Sequence, residues 1–300
     1  MTTQKQLSGQ AWGELLLLSL LWGGSFLSIR IALDEVGFLT SVAHRVFWAA
    51  LLLWFVVILR KLQLPRDPKI WVAFFVMGLL NNVLPFGLMA WGQLHIESGL
   101  TSILNAATAI FGVILAAVFF RDERLGARRA LGVFLGFVGV AIAMGFENLR
   151  NFDLRSLAQI AVIAGTISYA LAAVWARAML KSVAPEVAAA GMLTGSTIII
   201  LPIAIMFDGA PSLALATDTL LAIAYYAFLA TALAYLLYYR VLAMAGSGNL
   251  MLCTLLIPPI AILLGAIGLG EELAPRAFIG FGVIALGLIV LDGRVFTKRA

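Results

Sequence analysis

Long apolar runs, separated by short polar or turn-rich breaks, repeat along the chain from Leu15 to Val290. A helix that crosses a bilayer needs about 20 mostly apolar residues, and the breaks divide the chain into segments of that length. The pattern therefore predicts an all-α integral membrane protein with ten transmembrane helices. We number these predicted spans 1 to 10, at residues 12–33, 38–60, 70–94, 98–120, 127–145, 157–180, 186–207, 218–243, 247–270 and 275–292.

The composition leads to the same fold class. The 300 residues are 63% hydrophobic and only 12% charged, whereas a soluble domain has about 25% charged residues. The mean hydropathy is +1.05. Such a chain lacks the polar surface of a soluble protein, and its short connections leave no extramembrane domain to hold an active site.

The basic residues indicate the orientation, because positively charged loops stay in the cytoplasm. With the N-terminus inside, the outer ends hold only Arg30, Arg150, Arg155 and Arg276, and Arg45 lies inside span 2. The inner segments hold Lys5, Arg60, Lys61, Arg66, Lys69, Arg121, Arg124, Arg128, Arg129, Arg177, Lys181, Arg240, Arg294, Lys298 and Arg299. This distribution predicts two cytoplasmic termini, and it explains the basic pI without nucleic-acid binding.

Few residues are available for cofactor chemistry. With two histidines and one cysteine, Cys253, the chain has no ligand set for a structural zinc site, a cluster or a disulfide. No phosphate-binding loop is present, so ATP is not predicted as a direct energy source. We expect no cofactor and no metal. The N-terminal segment has no small-residue cleavage site and reads as a retained first span.

The two halves of the chain resemble each other at a spacing near 148 residues. The motif at 121–125, followed by Arg128 and Gly132, aligns with the motif at 269–273, followed by Arg276 and Gly280. The segment at 22–30 likewise resembles the segment at 169–177. These matches predict two five-helix repeats, residues 1–148 and 149–300. Five is an odd number, so the second repeat enters the membrane from the opposite face, as in many secondary transporters.

Several motifs resemble those of a known family. They are Leu21-Trp-Gly-Gly-Ser-Phe26, Pro258-Pro259 with Gly265, Leu269-Gly-Glu-Glu-Leu273, and the glycine-rich final span from Gly280 to Gly287. In this order they resemble the drug/metabolite transporter superfamily over nearly the whole chain. Within it they resemble the ten-helix bacterial metabolite exporters, and among those most closely the aromatic amino-acid exporters.

This resemblance implies a fold, a location and an activity. The fold is a basket of two inverted five-helix repeats around a central cavity, lined mainly by spans 1, 3, 4, 6, 8 and 9. The location is the bacterial inner membrane, with the lipid bilayer as a partner and a small-molecule substrate as cargo. The oligomeric state is left open, and a monomer is compatible with the sequence.

Polar side chains near the middle of spans are candidates for substrate binding, because such groups are costly in hydrocarbon unless they face a partner or a wet cavity. Amides and hydroxyls bind carboxylates and ammonium groups. They also form interhelical hydrogen bonds with a purely structural role, and both interpretations stay open. The candidates are Asn82, Asn105, Thr108, Thr231 and Thr254.

Four aromatic residues extend this predicted site. Trp22, Tyr169, Tyr225 and Tyr235 carry amphipathic rings that suit an amino-acid side chain or a lipophilic solute. Trp22 and Tyr169 occupy matching positions in the two repeats. Ser25, in the first motif, is assigned to the same site.

Proline and glycine residues have two predicted roles. Pro258 and Pro259 remove two backbone donors from span 9, which predicts an opened turn that is either a gating hinge or a tolerated kink. The glycines of spans 5 and 10 indicate close helix packing. They are Gly132, Gly136, Gly139, Gly280 and Gly287.

Charged residues inside spans have open alternatives. Arg45 is expected to pair with Asp34 or Glu35 near the outer face, or else to attract substrate anions. Glu14 is either a proton site or a residue at the end of its span. The carboxylates that end spans beside cations are read as anchors between the repeats; these are Glu123, Glu271 and Glu272.

The expected substrate is a neutral or zwitterionic solute. With no lysine or arginine expected at mid-depth, a phosphate dianion would lack partners. The sequence therefore predicts facilitated export of amino acids, aromatic and other neutral ones, or of similar metabolites by alternating access. Proton-coupled multidrug or metabolite efflux is the alternative. A membrane enzyme is disfavoured, because no catalytic set is found at one depth.

Overall fold

The computed structural model describes residues 8–120, 126–144, 154–212, 214–250 and 253–292. Within these ranges the regular structure is helical and contains no β-strand. Seven helices in the described ranges are long and apolar enough to cross a membrane, and shorter apolar helices cover Leu256–Leu269 and Pro275–Val290. The seven are Gly9–Ala32, Phe38–Leu59, Pro68–Gly92, Ser98–Phe119, Leu154–Met179, Pro185–Phe207 and Thr217–Val241.

We number the helices in chain order. The first half contains α1 (Gly9–Ala32), α2 (Phe38–Leu59), α3 (Pro68–Gly78), α4 (Leu84–Gly92), α5 (Ser98–Asn105), α6 (Thr108–Phe119) and α7 (Ala127–Met144). The second half contains α8 (Leu154–Met179), α9 (Pro185–Phe207), α10 (Thr217–Ala224), α11 (Ala234–Leu250), α12 (Cys253–Leu269) and α13 (Pro275–Asp292). The motif at 121–125 and the basic terminal segments lie outside the described residues.

Two π-helical segments interrupt the helices. The segment π1 (Leu79–Val83) joins α3 to α4, and π2 (Tyr225–Leu233) joins α10 to α11. Each lies within a predicted span, the third and the eighth, which are the third spans of the two predicted repeats. π-helical turns are rare and occur often at functional sites. The sequence analysis did not anticipate either segment.

The helix breaks differ from those predicted. Span 4 is two helices, α5 and α6, which meet at Ala106 and Ala107 through tight i→i−3 hydrogen bonds of 3.1 and 3.0 Å. By contrast, α12 continues through Pro258 and Pro259, so the opened turn predicted there is wrong. The helix is held closely against α1, since a Cβ built at Gly23 would lie 2.6 Å from Cγ2 of Ile260.

Glycine-lined contacts join α7 to α13. A Cβ built at Gly280 would lie 2.5 Å from the backbone nitrogen of Ala143, and one at Gly139 would lie 2.6 Å from that of Ile284. A Cβ at Gly287 would lie 2.8 Å from the nitrogen of Gly136. Only glycine permits this approach of two backbones. The prediction that these glycines pack two helices together is confirmed.

The remaining helices pack across the two halves of the chain. Helix α2 lies along α9, and α1 lies along α12. In the other half, α8 packs against α4 and α6, while α3 packs against α9 and π2 against α2. In the predicted span numbering the pairs are 2 with 7, 5 with 10, 1 with 9, and 6 with 4.

Carboxylates close one end of this bundle. Asp208, after α9, accepts a hydrogen bond of 2.7 Å from the backbone nitrogen of Thr40 at the start of α2. Glu35, after α1, accepts one of 3.0 Å from the nitrogen of Ala216 before α10. Negative groups stabilise helix N-termini. These two contacts tie the α1–α2 connection to the α9–α10 connection.

A third carboxylate, Glu271, caps α5 from the other half of the chain. It accepts hydrogen bonds from the backbone nitrogen of Ser98 at 2.9 Å, from the Ser98 hydroxyl at 2.8 Å and from the nitrogen of Gly99 at 3.2 Å. Beside it, Arg155 forms an ion pair of 2.9 Å with Glu97. Glu271 thus anchors one half to the other, as predicted for the carboxylates that end spans.

Ion pairs at the opposite helix ends complete the pattern. Arg60 after α2 pairs with Glu186 of α9 at 2.8 Å, and Arg240 of α11 pairs with Glu14 of α1 at 2.5 Å. Every one of these contacts joins two helix ends that the orientation prediction assigns to the same side of the membrane. The antiparallel alternation of the described helices therefore agrees with the predicted order of spans.

We expect Glu271→Gln to destabilise the fold, because the neutral amide replaces a carboxylate that receives three hydrogen bonds at a helix N-terminus. The expected loss is about 1–2 kcal/mol, or roughly 3–6 °C in Tm for the purified protein in detergent. Glu272→Gln is the matched control, since Glu272 is exposed. Equal Tm values for the two variants would contradict the capping role.

Candidate functional site

Arg45 of α2 is a buried cation in the interior of the bundle. Its side chain belongs to a residue that is only 8% exposed. The Nε atom donates a hydrogen bond of 2.9 Å to Oγ1 of Thr231 in π2. The guanidinium carbon lies 3.9 Å above the centre of the Phe86 ring in α4. These two contacts fix both the position and the plane of the guanidinium.

Arg45 has no counterion in the described chain. Asp34 pairs with Arg30 at 2.6 Å, and Glu35 accepts from the nitrogen of Ala216. The predicted pairing of Arg45 with Asp34 or Glu35 is therefore wrong, because both carboxylates stay at the helix ends. The expectation that no arginine lies at mid-depth is also wrong, since Thr231 lies near the middle of the helix Thr217–Val241.

Three tyrosine phenols surround the guanidinium. Tyr169 of α8, Tyr226 of π2 and Tyr235 of α11 all interact with it electrostatically. The Tyr169 ring meets the Phe86 ring edge-on, with 6.3 Å between ring centres. The Tyr226 hydroxyl receives a hydrogen bond of 3.3 Å from Ser41. The cation thus lies among aromatic rings and neutral oxygens.

An amide network adjoins the phenols. The Tyr235 hydroxyl donates to Oδ1 of Asn82 at 3.2 Å and accepts from Nδ2 of Asn81 at 3.0 Å. Nδ2 of Asn82 donates to the Ser196 hydroxyl of α9 at 2.8 Å. Asn82 is fully buried, whereas Asn81 is half-buried. Asn82 is therefore fully engaged in contacts between helices, and Asn81 keeps free surface in the interior.

The π segments carry these polar residues, and neighbouring helices satisfy their loosened carbonyls. Pro85 supplies no N–H to the carbonyl four residues before it, which favours the wide turn of π1. The Ser168 hydroxyl donates to the carbonyl of Leu80 in π1 at 2.7 Å. In π2, the Thr231 hydroxyl donates to the carbonyl of Tyr226 at 2.7 Å. Each unpaired carbonyl would otherwise be costly in the membrane.

A second aromatic group lies between α1 and π2. The Trp22 indole donates to the carbonyl of Ala230 at 3.1 Å, and its ring centre is 6.0 Å from that of Tyr238. The Tyr225 hydroxyl donates to the carbonyl of Leu21 at 3.3 Å. Ser25 is buried and donates to the carbonyl of Trp22 within its own helix. These predicted residues therefore line the α1 side, apart from the contacts around Arg45.

The remaining predicted residues are more scattered. Thr108 donates to Oδ1 of Asn105 at 3.4 Å across the break between α5 and α6. Pro258 is buried and Pro259 is exposed. The backbone of Thr254 belongs to α12, but its side chain lies outside the described part of the structure.

Glu14 lies at the end of the bundle that also holds Arg240. Its Oε1 atom accepts from Arg240 at 2.5 Å and from Gln10 at 3.1 Å, while Oε2 is buried with no hydrogen-bond partner. This placement, five residues into α1, is far along the chain from the cluster around Arg45. The ion pair agrees with the interpretation of Glu14 as a residue at the end of a span.

The structure brings together Asn82, Tyr169, Thr231 and Tyr235 of the predicted site, and it adds residues that the sequence analysis did not include. The added residues are Arg45, Asn81, Phe86, Ser196 and Tyr226. One signal pointed to Arg45, since an ionisable residue inside a span indicates a functional site. The aromatic and amide neighbours carry no such signal. In the described residues no group of three metal-ligating side chains is found.

Apolar helices of membrane-spanning length around a polar interior define a multi-pass membrane protein. The model of the EamA-like transporter family matches this chain twice, over residues 10–145 and 156–291. The chain therefore belongs to the EamA-like transporter family of the drug/metabolite transporter superfamily. The resemblance found from the motifs is confirmed, and the chain is a membrane transporter.

Named relatives match along nearly the whole chain. A "Probable terminal-alkyne amino-acid exporter" of Streptantibioticus cattleyicolor is 25% identical, covering 98% of this chain and 97% of its own. A "Probable amino-acid metabolite efflux pump" of Escherichia coli is 24% identical, covering 92% of each. A solved crystal structure, at 17% identity, superposes with a TM-score of 0.69 over 97% of this chain and 99% of that chain. It supports the fold alone.

The contact between Arg45 and Thr231 gives a stability prediction. Thr231→Val keeps the shape of the side chain but removes the acceptor of the Arg45 Nε–H. Since the buried donor is then unpaired, we expect a loss of about 1–3 kcal/mol, measured as a lower Tm in detergent. Thr231→Ser retains the hydroxyl and should restore most of the loss. If the valine and serine variants melt together, the hydrogen bond contributes nothing.

Proposed function

We propose that the protein exports amino acids, aromatic and other neutral ones, or similar small metabolites. The observation that carries this proposal is the interior cluster of a cation, phenols and amides around Arg45. It offers polar groups to a small polar solute and rings to an apolar side chain. The names of the exporter and efflux relatives support the same substrate class.

The proposed architecture is ten transmembrane helices in two inverted repeats, residues 1–148 and 149–300, forming a basket around a central cavity. The two matches of the family model fall within these halves. The π segments lie in the third span of each half. Tyr169 and Tyr235 are enclosed by protein yet keep accessible surface, which supports an internal space at the cluster.

The proposed mechanism is facilitated transport by alternating access. Rocking of one repeat against the other would expose the site to each side in turn. The carboxylate contacts of Glu35, Asp208 and Glu271 close one end of the bundle, and they would break when that end opens. Pro258 and Pro259 remain the proposed hinge. Proton-coupled efflux, with Glu14 as the proton site, is the alternative mechanism.

Uptake into proteoliposomes tests the proposal. We expect saturable uptake of labelled phenylalanine above that of empty liposomes. Tyr235→Phe removes the hydroxyl that contacts Asn81 and Asn82, and uptake at low substrate should fall about tenfold, as for one lost hydrogen bond. Tyr239→Phe, which removes a hydroxyl from the same helix, is the control.

The same assay separates the mechanisms. Accumulation above equilibrium when a pH gradient is imposed would replace facilitated transport by proton coupling. If Glu14→Gln then abolished accumulation but left downhill uptake, Glu14 would be the proton site. A protein that moved no amino acid but bound lipophilic cations would be a multidrug exporter instead.

The proposed location is the bacterial inner membrane, with both termini in the cytoplasm. In a Cys253→Ser background, a membrane-impermeant maleimide should label Ser212→Cys in intact spheroplasts, because Ser212 lies in the exposed α9–α10 connection. Lys298→Cys should be labelled only after the membrane is opened. The reverse pattern would overturn the orientation.

A further inference from the structure

We infer that Arg45 is the binding site for a carboxylate of the substrate, and that this contact selects the transported class. Acids are carried whether or not they bear an amine, and amines without an acid group are not. The inference rests on the proposed function, because it assumes that the cluster around Arg45 is the transport site.

The first argument is the cost of the isolated charge. A cation inside the bilayer is expensive unless it has a partner or reaches water, and removing one member of a buried ion pair is strongly destabilising. In the residues that the structure describes, Arg45 forms no ion pair. A carboxylate that arrives with the substrate would supply the missing charge.

The second argument is the geometry of the guanidinium. Arginine has five N–H donors, and Nε uses its single donor on Thr231. The two terminal nitrogens make no hydrogen bond to the described chain, and they are not sealed from the interior. Their four N–H groups form the fork that binds a carboxylate with two parallel hydrogen bonds.

The third argument is that this fork is already oriented. Phe86 stacks beneath the guanidinium at 3.9 Å, and Tyr169 meets the edge of the Phe86 ring. Thr231 holds the Nε edge. Because a preorganised side chain loses little freedom on binding, more of the contact contributes to affinity. The exposed Arg66 has no comparable cradle.

The fourth argument concerns the amine. The carboxylates of the described helices lie at or near helix ends or in the connections, and those beside charged partners include Glu14, Glu97 and Glu186. Around Arg45 the available acceptors are the neutral oxygens of phenols and amides. These can accept a hydrogen bond from an ammonium group but provide no charge, so the amine contributes less to recognition than the acid.

Ligand binding to the purified protein tests the inference without relying on transport. Thermal unfolding is followed with four ligands that share one ring: phenylalanine, 3-phenylpropionate, 2-phenylethylamine and phenylalaninamide. A ligand that binds the folded state raises the apparent Tm. We expect phenylalanine and 3-phenylpropionate to stabilise the wild type, and 2-phenylethylamine and phenylalaninamide to have at least tenfold weaker effects by concentration.

Variants place the effect at Arg45. Arg45→Gln should weaken binding of both acids on the order of 100-fold, as for a desolvated charge pair. Arg45→Lys keeps the charge but not the fork, and should retain part of the affinity. Arg66→Gln, which removes an exposed charge, should bind like the wild type. If Arg45→Gln does not fold, the ligand series on the wild type still decides the outcome.

The results distinguish this inference from the proposed function. Wild-type protein stabilised equally by 2-phenylethylamine and 3-phenylpropionate would overturn the carboxylate site, even if amino acids are transported. The same holds if Arg45→Gln folds and binds the acids as tightly as the wild type. Acid binding that depends on Arg45, in a protein that carries no amino acid into liposomes, would retain the site and refute the proposed function.

Discussion

The structure depends on one electrostatic constraint, a positive charge held in the interior of an apolar bundle without a protein counterion in its described part. A guanidinium in this position must be hydrogen-bonded, packed against polarisable groups and reached by water or ligand. Arg45 meets these needs with Thr231 below its Nε edge and Phe86 beneath its plane. The surrounding phenols and amides follow from the same requirement, since each is a neutral polar group that the membrane alone would not tolerate.

The two π segments provide this polar interior. A wide helical turn brings side chains into new directions and frees carbonyls, which must then find donors. Ser168 serves π1 and Trp22 serves π2, and each donor comes from the first span of the opposite proposed repeat. Asn82 reaches Ser196 in α9, and Thr231 receives Arg45 from α2. The paired arrangement supports an inverted repeat in which one half replaces an amide–hydroxyl contact by a charged one.

Much of the fold was predictable, because apolar run length and glycine spacing act through short-range physics. Helix α2 was predicted as 38–60 and is Phe38–Leu59, and the glycine contacts of α7 with α13 followed from the positions of Gly139 and Gly280. The site was predicted only in part. Asn82, Tyr169, Thr231 and Tyr235 were found by depth, but depth does not tell which way a residue faces. The partner of Arg45 was predicted wrongly, because proximity along the chain favoured Asp34 while the fold turned Arg45 towards π2.

The central claim concerns where an acid meets the protein, and the most direct measurement is an experimental structure with a heavy-atom ligand. Crystals or particles prepared with 3-(4-bromophenyl)propionate allow the bromine to be located independently of the protein density. The account predicts the carboxylate oxygens about 3 Å from the terminal nitrogens of Arg45, with the brominated ring beside Phe86 and Tyr169. A ligand bound elsewhere, with those nitrogens facing only solvent, would contradict it.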